Sequence, residues 1–139
     1  MTKSHIQPYL FFGGRCEEAL EFYRTTLGAK TEMLMRYKDS PEPCPAGMIP
    51  SGFENKIMHA AFRIGDTALM ASDGCEEGGA FAGFSLSLTL PNSAEAERVF
   101  AALSAGGTVR MPLVKTFWSP CFGMLADRFG MVWMITIPA

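Results

Sequence analysis

The sequence predicts an α+β fold built from two consecutive βαβββ modules whose strands form curved mixed sheets. Three observations carry that expectation. An amphipathic helix pattern occurs twice, with Ala96 and Phe100 each standing 77 residues after their counterparts Ala19 and Tyr23. Each helix pattern follows one short strand pattern and precedes three more, which is the signature of an internal repeat. The chain has 139 residues, 48% of them hydrophobic, enough to bury roughly two-thirds of the unfolded surface in a real core.

Residues 8–12 (Pro-Tyr-Leu-Phe-Phe) form a short apolar run rich in aromatics and read as a strand. Gly13 and Gly14 end it. A helix is expected over Cys16–Leu27, where Ala19, Tyr23 and Leu27 recur every four residues beside Leu20. Glu17 and Glu18 suit the positive end of its dipole, and Gly28 suits its C-terminal stop. Residues 31–37 resume as a strand. The stretch 39–55 carries Pro41, Pro43, Pro45 and Pro50 and is expected to lack regular structure, as a lid or a mobile connection. Strands over residues 56–64 and Thr67–Ser72 follow, joined by Gly65 and Asp66.

Residues 74–83 contain four glycines and read as a linker. The second module opens at residues 84–90, where apolar and polar residues alternate strictly as in a half-buried strand. Pro91 closes it, and Asn92 with Glu95 three residues on resembles a capping box. Ala96, Val99, Phe100 and Leu103 mark the buried side of the second helix, which Gly106 and Gly107 stop. Strands over 108–117, Phe122–Ala126 and 131–137 complete the module, the last two joined by Asp127-Arg128-Phe129-Gly130. The chain thus reads as one domain over residues 1–139, with a first module at 7–73 and a second at 84–138.

Composition excludes several roles. Twelve Lys and Arg against fourteen Asp and Glu give a net charge of −2 without a basic stripe, so nucleic acid is not an expected partner. The longest apolar run, residues 131–135, is too short to span a bilayer, and the N-terminal segment has no apolar stretch of signal-peptide length. A cytoplasmic location is expected, with no membrane partner. Cys16, Cys44, Cys75 and Cys121 contain no Cys-x-x-Cys pair, which argues for reduced thiols and against a structural zinc site. Cys16, next to Arg15 near a helix start, is the best candidate for a reactive thiol. Gly-x-Ser-x-Gly, a Ser-His-Asp arrangement and a phosphate-binding glycine loop are all absent.

Few residues remain for chemistry. In the strand at 56–64, Met58, Ala60, Phe62 and Ile64 should pack on a helix, leaving Ile57, His59, Ala61 and Arg63 on the other side. His59 then faces a cavity, as a base or hydrogen-bond donor, unless it is only a structural histidine. Glu32 and Arg36, on one face of their strand with Leu34 between, could bind a polar ligand or pair with each other. Phe117 and Trp118 end the sixth strand, where one of them should stack on a planar ligand or fill the core. Asp73 and Asp127 read as turn residues, Asp73 alternatively as a ligand acceptor. The ten methionines suit a plastic pocket or a dimer seam.

The plan resembles the vicinal oxygen chelate superfamily (glyoxalase I, extradiol dioxygenases, fosfomycin-resistance and bleomycin-binding proteins), and within it the PhnB-like branch. Three stretches carry the likeness. The first is Pro8-Tyr9-Leu10 through Glu18-Ala19-Leu20-Glu21-Phe22-Tyr23 to Leu27-Gly28-Ala29. The second is His59-Ala60 through Ile64-Gly65 to Met70-Ala71-Ser72-Asp73. The third joins Thr116-Phe117-Trp118, Phe122-Gly123, Asp127-Arg128-Phe129-Gly130 and Trp133. The resemblance implies a glyoxalase/bleomycin resistance/dioxygenase fold, a cavity for a small organic molecule, and a homodimer. In metal-dependent members His, Glu or Gln from both halves hold a divalent ion. Those positions fall here on Pro8, Met70 or Ala71, Phe84 or Ser85, and Met134, which are not competent ligands. No metal and no cofactor is therefore expected, and the substrate-pocket candidates are His59, Glu32, Arg36, Phe117 and Trp118. The alternatives are a metal-dependent lyase or dioxygenase using displaced ligands such as His5 and His59, and a drug-sequestering protein of the bleomycin-binding type.

Overall fold

The computed structural model describes residues 4–41 and 50–138. Cys44, Pro43 and Pro45 of the proline-rich stretch lie outside the described residues. The chain separates into two compact units, Met1–Gly79 and Ala80–Ala139.

In the first unit, β1 (Tyr9–Phe11) leads into α1 (Cys16–Leu27), followed by β2 (Lys30–Arg36), β3 (Ile57–Ile64) and β4 (Thr67–Ser72). The sheet order is β1-β4-β3-β2, with β1 parallel to β4 and the other pairs antiparallel. Register places Leu10, Ala71 and Ala60 in one row. All three are buried, with Phe62 and Leu69 beside them. α1 covers this face with Ala19, Leu20, Phe22 and Tyr23, and the Tyr23 ring stacks on Phe62 at 6.4 Å between centroids. α1 ends as expected, on Gly28 in the left-handed region (φ 69°). Its start is less ordinary, because Arg15 provides no side-chain cap. A carboxylate from the end of β4 substitutes for it: Asp73 Oδ1 accepts from Cys16 N at 2.7 Å and Gly14 N at 2.8 Å. The expectation that residues 39–55 lack regular structure is corrected at both ends. Tyr37–Asp39 and Phe53–Asn55 are short 3-10 turns, and the second turn is anchored by the buried Phe53 ring.

The second unit repeats the plan with β5 (Leu86–Thr89), α2 (Ser93–Ser104), β6 (Thr108–Val114), β7 (Phe122–Ala126) and β8 (Val132–Thr136), in sheet order β5-β8-β7-β6. β5 runs parallel to β8, as β1 does to β4. Asn92 caps α2 by accepting from Glu95 N at 2.9 Å. Half of the expected capping box is missing, because the Glu95 carboxylate turns to Arg98 instead. Ala96, Val99, Phe100 and Leu103 are all buried, against a sheet face that holds Leu125, Trp133 and Ile135. Gly107 is required by close approach: a Cβ there would stand 2.1 Å from the Ala126 carbonyl oxygen. β6 ends at Val114 and not at residue 117. Pro112 removes a ladder donor on this edge strand, register slips between Met111 and Val114, and Thr116 N then closes a turn on Ser119 O.

Among the described residues, no helix is long and apolar enough to cross a membrane.

Candidate functional site in the first unit

The face of the first sheet opposite α1 carries the side chains with chemistry. Alternation along β1 and β3 turns Leu10, Ala60 and Phe62 inward and leaves Tyr9, Phe11, His59 and Ala61 on the other side. Tyr9 and His59 lie 50 residues apart in sequence, yet Tyr9 Oη stands 3.1 Å from His59 Nδ1, a hydrogen bond between half-buried groups. The Phe11 ring, largely exposed, lies 5.0 Å from that of Tyr9. Register sets Met33, Ala61, Met70 and Tyr9 in one row across the sheet, and Met35 opposite His59. The result is an apolar, thioether-rich floor around the Tyr9–His59 pair. Nδ1 is engaged by the phenol, so Nε2 is the ring nitrogen that can meet a ligand. It donates when Tyr9 donates to Nδ1, and accepts in the other tautomer.

The other expected site residues go elsewhere. Glu32 pairs with Arg63 at 3.1 Å, whereas Arg36 meets Glu17 of α1 at 2.6 Å and the Asn55 carbonyl at 2.8 Å. The two do not share a face because β2 has irregularities between Thr31 and Met33 and between Met35 and Arg36, each of which breaks the alternation. The Arg36 hydrogen bond holds the Glu17 carboxyl below the usual range. Both groups are accessible to solvent, so the pair contributes little to stability. Phe117 and Trp118 do not end a strand. They sit in a bend after β6, 97% and 51% exposed, edge to face at 4.7 Å. Ser119 pins that bend: its Oγ lies 2.8 Å from Cys121 O and 2.9 Å from Ile137 O, and accepts from Thr136 Oγ1. Trp118 leans on Phe122 at 5.3 Å.

Cys16 is not a reactive thiol. It is fully buried, and burial first, then the Asp73 and Glu17 charges, push its pKa far up. Asp73 is likewise no ligand group, since both of its oxygens are taken by backbone N–H groups of Gly14, Cys16 and Ile57. Tyr9 was not singled out in the sequence because its aromatic run read only as a short apolar strand. The available signal was its place next to Leu10, on the opposite side of an alternating strand.

The family likeness implies a metal centre, and the residues present do not fit one. Pro8 offers no side-chain donor, and Ala71 is buried under α1. Met70, Met134 and Ser85 are poor ligands for hard divalent ions. Among the described residues no three of His, Cys, Asp and Glu cluster to hold an ion, including any set built on the exposed His5.

Comparison with known proteins identifies the family of the chain. A family model described as 3-demethylubiquinone-9 3-methyltransferase matches residues 4–136. Protein YjdN of Escherichia coli K12 is 38% identical over 95% of this chain and 94% of its own. The crystal structure of PA1353 from Pseudomonas aeruginosa superposes with a TM-score of 0.84 at 43% identity, over 98% of both chains. A PhnB protein from Bacillus cereus, described as a putative 3-demethylubiquinone-9 3-methyltransferase, gives 0.78 at 28% identity over 96% of this chain and 99% of that one. A glyoxalase-related enzyme from Fulvimarina pelagi shares the fold alone, at 16% identity and TM-score 0.60, over 97% and 88% of the two chains. With its two βαβββ units, this chain belongs to the PhnB-like 3-demethylubiquinone-9 3-methyltransferase family, and it shares the fold of glyoxalase-related proteins.

Proposed function

We propose that this protein binds a small, mainly apolar organic molecule on the open face of its first sheet, without a metal ion. The observation that carries the reading is the Tyr9–His59 hydrogen bond, set in a floor of Met33, Ala61, Met70 and Phe11. Pockets of this kind are mostly apolar, with a few polar groups that fix orientation. The floor supplies burial, the flexible thioethers adapt to shape, and His59 Nε2 supplies one directional hydrogen bond. A ligand carbonyl or hydroxyl is the natural partner.

A thermal-shift screen of neutral planar compounds tests this, since a true ligand raises the melting temperature progressively with concentration. His59→Ala is expected to weaken the best hit about tenfold, and Tyr9→Phe to weaken it less, because the ring stays and only its orienting bond is lost. Unchanged binding in His59→Ala would remove the first sheet from the site. Protein purified without chelator is expected to contain no stoichiometric nickel, zinc, iron or manganese, and finding one of them would overturn the metal-free part.

The protein is further proposed to work as a homodimer in the cytoplasm. Phe11, Val109, Val114, Phe117 and Trp118 leave large apolar side chains exposed, which a second copy of the chain would cover. Sedimentation at micromolar concentration should give about twice the 15.2 kDa chain mass, and a monomer mass would refute the dimer.

A further inference from the structure

We infer that the second unit carries a binding site for a small organic carboxylate, with Arg110 as its anion-holding group. A cleft of about 380 Å³ opens there, lined by Phe81, Phe84, Ser85, Arg110, Met124 and Val132. Its volume lies within the range of small-molecule sites. Register explains how it forms. Met124 pairs with Met134 and Ala126 with Val132, whereas Gly123 and Leu125 of the alternate set pack toward α2. Met124 and Val132 are thus on the sheet face away from the helix and make an apolar floor. Phe81 and Phe84, just before β5, stand edge to face with centroids 6.3 Å apart and form an aromatic wall.

Arg110 gives the cleft its chemistry. It lies where the β6–β7 register slips between Val109 and Met111, and such an irregularity re-aims a side chain out of the regular alternation. The chain has seven arginines. Arg15, Arg24, Arg36, Arg63 and Arg98 each meet a carboxylate, and Arg128 donates to the Ala105 carbonyl. Of the seven arginines, all among the described residues, Arg110 alone has no side-chain hydrogen bond or ion pair to a described residue, and it borders this cleft. A guanidinium beside an apolar floor selects a ligand with two parts. The fork takes a carboxylate through two parallel N–H···O bonds, and the phenyl rings, Met124 and Val132 take an aromatic or branched apolar body. The lining residues include a single cation, which matches a monoanion better than a phosphate group. Cationic ligands are repelled.

The site is independent of the first-sheet reading, so the two can fail separately. The test is a titration of the full chain with trans-cinnamate and with its neutral amide, followed by amide NMR shifts and calorimetry. Cinnamate is expected to move the signals of Phe84, Arg110, Met124 and Val132 and to bind more tightly than the amide. Arg110→Gln, a surface change that should leave folding intact, is expected to weaken cinnamate about tenfold or more and to leave the amide unaltered. Arg110→Lys should restore only part of the loss, because an ammonium lacks the fork. Equal affinity of wild type and Arg110→Gln for cinnamate overturns the proposal, as does an amide bound as tightly as the acid. Shifts confined to Tyr9 and His59 overturn it while supporting the first-sheet site. No shift at millimolar cinnamate overturns it outright.

Discussion

Replacing Asp73 by alanine is expected to destabilise the protein by roughly 3–5 kcal/mol. Asp73 is 1% exposed and accepts three backbone N–H groups from two remote segments: Gly14 at 2.8 Å, Cys16 at 2.7 Å and Ile57 at 2.8 Å. It closes the loop before α1, substitutes for the helix cap that Arg15 does not provide, and holds the start of β3. Alanine leaves three buried donors without partners, and each costs about 1–3 kcal/mol when desolvated and unpaired. Asparagine separates charge from geometry. Its carbonyl can still serve Gly14 and Cys16, but its amide N–H₂ would face the Ile57 N–H, so about half the loss is expected. Urea unfolding at unchanged m-value measures both variants. Amide exchange should accelerate first at Gly14, Cys16 and Ile57. An alanine variant within about 1 kcal/mol of wild type would show that water replaces the carboxylate, contrary to this account.

Asp127→Ala should cost roughly 2–4 kcal/mol in the second unit. This buried carboxylate accepts from Phe129 N at 2.9 Å, Met131 N at 3.1 Å and the Trp133 indole Nε1 at 3.0 Å. It thereby sets the β7–β8 turn and satisfies the one polar atom of a ring that is otherwise core. Alanine strands that indole N–H. Trp133 emission should move to the red, read in a Trp118→Phe background because Trp118 is already half exposed. An unshifted spectrum with wild-type stability would sink the assignment.

The two carboxylates show where reading along the chain stops. Asp127 works within a few residues of itself, so its turn role was legible from Asp-Arg-Phe-Gly alone. Its bond to Trp133 was not. Asp73 reaches back 59 and 57 residues to Gly14 and Cys16, and nothing in its neighbourhood signals that. Cys16 illustrates the same limit from the other side. A thiol beside Arg15 at a helix start looks activated, but tertiary burial and the approach of Asp73 reverse the expectation.

The sequence by itself determined the repeat, both helices with their buried faces, the strands Thr67–Ser72 and Phe122–Ala126, and the family. The repeat, helices and strands rest on periodicity and on spacing between neighbours, which are local quantities, and the family rests on a resemblance over three motif stretches. Only the tertiary structure decided which side chains share a surface. β-Bulges sent Glu32 and Arg36 to different partners, a proline and a turn lifted Phe117 and Trp118 out of their strand, and parallel pairing of β1 with β4 helped bring Tyr9 to His59. A strand's alternation reverses with every one-residue slip, and slips are set by the partner strand.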